Sequence, residues 1–174
     1  MQAVGFAVRP AGEADFDGWF DLFAAVVAEG VWLGSEVPLD REDRRQRFLN
    51  ASADKDNPAA TFLAESDGRQ VGQLFIRCQA GIGDIGMAVD RAWRGRGVGS
   101  ALLTAAVDWA GRHQVHKLTL QVWPHNVAAL RLYRRFGFAE EGHLRRHYRR
   151  RNGELWDAVV MGLVLDTTSP GSSL

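Results

Sequence analysis

Apolar positions recur along this chain with two different periods. Between Glu13 and Glu29, Phe16, Trp19, Phe20, Phe23, Val26 and Val27 fall at helical spacing. Farther on, Val98, Ala101, Leu102, Ala105 and Trp109 follow one another at i, i+3, i+4, i+7 and i+11, which predicts one buried stripe on a helix starting near Gly97. Shorter runs suit strands: "GFAVRPA" (5–11), "ATFLAES" (60–66), "QVGQLFIRC" (70–78), "DIGMAV" (84–89) and "KLTLQVW" (117–123). The turn "SDGR" joins the second and third of these as a hairpin. Asp40 is placed to cap a charged helix, "DREDRRQRFLN". Asn126 can cap another, "VAALRLYRRFG", which closes at Gly137. "FAEEGHL" and "LWDAVVMGLVL" read as two final strands joined through "RNGE". A hairpin run before one β-α-β-α passage predicts a mixed α/β sheet with helices on both faces.

Length and composition narrow the class. A chain of 174 residues with 46% apolar content suits one domain, taken as residues 1–166, with a disordered end at 167–174. "NASADKDNPAA" (50–60) reads as a loop of turn formers. Twenty-one basic and 21 acidic residues cancel, so neither nucleic acid nor an anionic membrane is an expected partner. One cysteine, Cys78, excludes an internal disulfide and suits a reducing compartment. With no signal-peptide pattern and no apolar run near the ~18 residues of a membrane span, the expected location is the cytoplasm.

The segment "RAWRGRGVGSALL" (91–103) carries the first chemical signal. Between a strand and a helix, bare N–H groups and the helix dipole can face an anion, and glycine lets phosphate oxygens approach the main chain. Arg94 and Arg96 add forked donors suited to phosphate. No Gly-Lys-Ser/Thr follows, so this is not a Walker loop, and the glycine spacing is a poor dinucleotide fingerprint. By itself the segment also reads as a glycine-rich turn with solvated arginines.

A second motif downstream decides between these. Arg94, Gly97 and Gly99 match Arg/Gln-x-x-Gly-x-Gly/Ala, and Asn126, Ala129, Leu132, Tyr133, Gly137 and Phe138 match Asn-x-x-Ala-x-x-Leu-Tyr-x-x-x-Gly-Phe. In these two motifs, and in the strand "DIGMAV" before the loop, residues 60–165 resemble the GNAT superfamily, the Gcn5-related N-acetyltransferases. The resemblance implies the GNAT fold, a mixed and mostly antiparallel sheet with helices on both faces. It implies acetyl-CoA as the acyl donor, its pyrophosphate held by Arg94, Gly95, Arg96, Gly97, Val98, Gly99 and Ser100. The pantetheine arm would then run along Met87, Ala88 and Val89, with Asn126, Ala129 and Tyr133 beside it. Asn126 could serve equally as a plain N-cap.

In the family an amine attacks the acetyl carbonyl directly, so the resemblance also assigns roles. Tyr133 stands where the family places the acid that protonates the departing sulfur, and the N–H of Met87 or Ala88 would hold the carbonyl oxygen. The base that frees the amine is open between Asp84, at the start of the fourth strand, Glu36, in the loop between the first two helices, and an ordered water. The acceptor would be a small-molecule amine or a protein N-terminus. Homodimers occur in such proteins. The rival readings are a module that senses acyl-CoA without turnover and a protein whose glycine loop holds ATP. No metal is expected: His113 and His116 lack further ligands, and His143 and His147 lie among arginines. His125, after Pro124, is a minor candidate for a proton relay. "RRHYRRR" (145–151) reads as a hairpin loop, Cys78 as a small core residue, and the six tryptophans as mostly core, with Trp32 a candidate for the acceptor pocket.

Overall fold

The computed structural model describes residues 5–50 and 57–165. The expected disordered end and most of the 50–60 loop lie outside the described residues. Among the described residues, seven strands form one sheet in the order β1-β2-β3-β4-β5-β7-β6. In chain order these are β1 (Ala7–Pro10), β2 (Ala59–Ser66), β3 (Arg69–Gln79), β4 (Ile82–Val89), β5 (Lys117–Val122), β6 (Ala139–Arg149) and β7 (Leu155–Val164). Four α-helices among the described residues accompany them: α1 (Phe16–Ala28), α2 (Arg41–Asn50), α3 (Val98–Arg112) and α4 (Val127–Arg135). Every pairing is antiparallel except β4 with β5.

Two tight turns set the register of the first half. Asp67 and Gly68 take φ of 49° and 73° between β2 and β3, and Ala80 and Gly81 take 51° and 77° between β3 and β4. Two consecutive left-handed residues make the turn whose twist matches a hairpin. Period-2 alternation then sorts the sheet's faces. Phe62 and Ala64 join the core beneath α3, whereas Leu63 joins a separate cluster with Phe16, Trp19, Phe23 and Val27 of α1. Helices therefore cover both faces, as the pattern predicts.

Within α3 the buried series is Val98, Leu102, Ala106 and Ala110, with Leu103 beside it. The expected stripe is rotated: Ala101, Ala105 and Trp109 are only half-buried. The steady i, i+4 row is the one that meets the sheet, while Trp109 lies on the flank, stacked on His113 at 4.1 Å. On α1, Leu22 is buried and Phe20 half-buried, so the buried row includes a residue that the expected spacing omits. The basic run is also placed differently from its reading as a loop. Arg145 to Arg149 continue β6, and the chain turns only after Arg150, where Gly153 takes a φ of 89°.

Caps end the helices at the expected places. Asp40 Oδ1 accepts the Asp43 N–H at 2.9 Å, and Asn126 Oδ1 accepts that of Ala129 at 3.2 Å. Gly137 closes α4 with a φ of 90°, as the N–H of Phe138 reaches back to the Tyr133 carbonyl at 3.1 Å.

Gly72 shows why a glycine interrupts β3. A Cβ there would lie 2.5 Å from Val98 Cγ1 and 3.1 Å from Leu102 Cδ1. Gly72→Ala should therefore cost about 2 kcal/mol by overpacking, read as a lower urea midpoint; an unchanged midpoint would show that α3 has room to move. A second expectation concerns Asp15, which accepts two hydrogen bonds from Arg9 at 2.7 and 2.8 Å. These hold its carboxyl at about 2, below the ordinary 3.8. The contribution is complete above 3.8 and fades as pH falls through 2. Asp15→Asn should lower stability by about 1 kcal/mol at neutral pH, a figure discounted for the open Arg9 side chain. Thermal melts of parent and variant should converge near pH 2.

Candidate active site

The site begins where a ladder ends. β4 pairs with β5 only through Ile82–Lys117, Gly83–Leu118 and Asp84–Thr119. Beyond Asp84 the strands part, although β4 continues to pair with β3 as far as Val89. The parting leaves one backbone edge of β4 without a strand partner. Which residues present that edge follows from alternation. The Asp90 N–H donates to the Val71 carbonyl at 3.0 Å, so the even-numbered residues, Ala88 included, turn their N–H groups toward β3. Met87 and Val89 face the gap. Of the two expected oxyanion donors, geometry thus selects Met87 over Ala88.

Two cavities open from the parting. A groove of about 380 Å³ runs past Met87, Ala88, Val89, Arg94, Gly95, Gly97, Gly99 and Ser100. A cavity of about 400 Å³ lies against α1 and α2, over the other face of the sheet. Asn126, Ala129 and Tyr133 of the α4 segment, with Trp32, Leu33, Met87 and Ala88, border both.

The groove fits a diphosphate. Gly97 is the N-cap of α3, with φ of 86° and no capping side chain, so the first-turn N–H groups have no internal acceptor. Gly95 and Gly97 have open space where a Cβ would be, and both have positive φ. Gly99 admits Leu132 Cδ2, which would lie 2.9 Å from a Cβ. Bare donors at a helix N-terminus are what a pyrophosphate requires. The residues present therefore suit coenzyme A.

The arginines are placed differently from their sequence reading. Arg94 grips Glu29, at the end of α1, with both terminal nitrogens, while its Nε donates to the Val89 carbonyl at 3.1 Å. Its guanidinium also lies 5.5 Å from the Trp32 ring centre, and Trp32 Nε1 donates to Glu29 at 2.7 Å. Arg94 thus braces the loop as well as lining the groove. Hydrogen bonds from Arg94 hold the Glu29 carboxyl below its ordinary range. Arg96 lies outside the groove, over Trp93 at 5.4 Å. The Val98 side chain is buried in the core, leaving only its backbone toward the loop. Arg135 lines the groove and donates to Ser100 Oγ at 3.1 Å. Sequence reading overlooked it, although it lies nine residues after Asn126 in a quoted motif.

Tyr133 is buried at the junction, and desolvation alone pushes its phenol up to about 12. Asn126 is both a cap and a wall, as its two readings allowed. Asp84 lines the acceptor-side cavity. Its side chain is exposed as well as bordering that cavity, and desolvation by the surrounding protein raises its carboxyl pKa despite the opposing charge of Arg77. Glu36 is engaged elsewhere. It accepts the Arg151 N–H at 3.0 Å and pairs with the buried Arg150, clamping its loop to the β6–β7 turn outside the cavity lining. His125 binds the Val31 carbonyl at 2.8 Å and lines neither cavity.

Comparisons with known proteins agree with this architecture. The model of the acetyltransferase (GNAT) family matches residues 24–138, so the likeness begins within α1, well before residue 60. An L-amino acid N-acetyltransferase of Escherichia coli K12 is 36% identical over 59% of this chain and 67% of its own. A mycothiol acetyltransferase of Acidimicrobium ferrooxidans is 41% identical over 71% of this chain, which spans only 40% of that relative's length. The crystal structure of a ribosomal-protein-alanine N-acetyltransferase from Brucella melitensis superposes with a TM-score of 0.83 at 26% identity, covering 91% of this chain and 99% of that one. By the family match across most of its length and by the shared fold, this chain belongs to the GNAT family of acetyltransferases.

Proposed function

We propose that this chain transfers the acetyl group of acetyl-CoA to a primary amine, either a small molecule or a protein N-terminus, which enters from the α1–α2 side. The observation that carries the proposal is the placing of Tyr133: one buried phenol borders both the groove and the acceptor-side cavity. When bound, acetyl-CoA supplies an activated acetyl thioester. The rest of the chemistry falls to residues of the chain. Gly95, Gly97, Gly99 and Ser100, with Arg135 beside them, hold the pyrophosphate, and the open edge at Met87 and Val89 holds the pantetheine arm. The Met87 N–H donates to the acetyl carbonyl oxygen, where negative charge develops.

Tyr133 keeps its proton at neutral pH, as a phenol with the ordinary value of 10.0 already would, and burial pushes it up to about 12. Its Oη is therefore a donor for the departing sulfur. Asp84 takes the proton that the acceptor nitrogen gives up, directly or through water. Its raised pKa makes it a better base than an ordinary carboxylate. In sum a nitrogen–carbon bond replaces a carbon–sulfur bond, and one proton leaves nitrogen as one reaches sulfur. The lone buried thiol, Cys78, supports a reducing, cytoplasmic setting.

Tyr133→Phe should lower kcat by roughly a hundredfold, while acetyl-CoA still raises the melting temperature as it does for the parent. An unchanged kcat would remove Tyr133 from the chemistry. Asp84→Asn tests the base through pH. Since the Asp84 carboxyl loses its proton above the ordinary 3.8, parent kcat/KM should climb with pH through that raised value. The variant should be slower and lack this limb; a parallel profile in both would exclude Asp84.

A further inference from the structure

The acceptor-side cavity carries an unbalanced charge. Arg44, Arg47 and Arg77 line it against one carboxylate, Asp84. Arg47 is bonded to Asp43 one turn earlier. Arg77 lies over the Phe75 ring, opposite Asp84 in the ladder. Arg44 differs from both. Its half-buried guanidinium lies 4.9 Å from the Phe23 ring centre and donates to Ser35 Oγ at 2.9 Å. No carboxylate among the described residues pairs with it. Burial, followed by the like charge of Arg47, holds it below its ordinary range against the opposing charge of Asp43, with a smaller push the same way from Arg77. A guanidinium has five N–H donors, and an enclosed charge without a counter-ion is destabilising. An entering anion would relieve it.

Two further polar atoms in the same wall lack partners. Gln73 Oε1 and Trp123 Nε1 are buried without a hydrogen bond among the described residues, on side chains of residues only 4% and 5% exposed. One is an acceptor and the other a donor, so together they match a molecule bearing both N–H and an anionic oxygen. Gln73 stands opposite Ala88, beside the Met87 end of the gap, whereas Arg44 belongs to α2. The remaining wall includes Trp19, Phe23, Phe48 and Phe75, which is suited to an apolar body.

Building on the acetyl-transfer reading, we infer that the acceptor is an amino carboxylate: its carboxylate meets Arg44 and the Trp123 N–H, its amine faces Gln73 and Met87, and an apolar body fills the aromatic space between. An uncharged amine or a peptide N-terminus would leave Arg44 unpaired and should be a poor acceptor.

The test uses matched acceptors with the full chain and acetyl-CoA. L-Phenylalanine is compared with its amide and with phenethylamine, 6-aminohexanoate with hexylamine, and an N-terminal peptide amide is included. At least one acid should exceed its neutral analogue in kcat/KM by about thirtyfold or more, mainly through KM. Arg44→Gln should reduce that preference about tenfold or more, and Arg44→Lys, which keeps the charge, should restore part of it. Circular dichroism of both variants checks that they fold. Equal turnover of acids and neutral amines, preference for the peptide, or a preference untouched in Arg44→Gln would each overturn the inference. If no acceptor is acetylated while acetyl-CoA still raises the melting temperature, the acceptor class is wrong and the cofactor reading stands. If acetyl-CoA leaves the melting temperature unmoved, the underlying reading fails first.

Discussion

The structure turns on the separation of two parallel strands. β4 and β5 hold together for three residue pairs and then diverge beyond Asp84 and Thr119. A buried strand edge ordinarily finds a partner, since an unpaired N–H or C=O away from water is destabilising. Here the edge of β4 continues beside a gap, held straight by its complete ladder with β3. An extended arm rich in amide groups, such as pantetheine, can complete that edge as another strand would. Both cavities open from this gap, and α4 sets Asn126 and Tyr133 into it from one side.

Alternation along the sheet gives the gap two chemically distinct sides. Gln73, Phe75 and Arg77 on β3 and Asp84, Gly86 and Ala88 on β4 share the face beneath α1 and α2, where the acceptor-side cavity lies. Gly86 belongs there because a Cβ would lie 2.3 Å from the Phe75 ring. The glycine loop and α3 belong to the other side. Tyr133 is reached from both, and desolvation by its surroundings raises its phenol further above neutral pH.

Much of this was legible in the sequence because it rests on local chemistry. Turn dipeptides, caps and the glycine loop declare themselves within a few residues: Asp67–Gly68 and Gly97 take the left-handed conformations open to their residue types, and the Asn126 side chain caps α4. What the sequence leaves unread is direction and partnership. A helical stripe shows its period but not the angle at which the helix meets the sheet, hence the rotated face of α3. Arg94 reads as a phosphate ligand alone, its bracing of α1 hidden, because Glu29, 65 positions away, leaves no mark near the loop. Glu36 reads as a base for the same reason, since its partners Arg150 and Arg151 come more than 110 residues later. The charge of Arg44 becomes informative only when folding brings Arg77 and an aromatic wall around it.

The Arg94–Glu29–Trp32 cluster has a wider meaning for how the two halves communicate. Arg94 belongs to the glycine loop, Glu29 closes α1, and Trp32 is part of the wall between groove and cavity. Pulling the guanidinium toward a phosphate would leave Glu29 with the Trp32 indole as its remaining side-chain donor, so one ring shared with the neighbouring chamber would carry the tether alone. Were occupancy on one side to shift this cluster, linkage would require the influence to run equally in reverse.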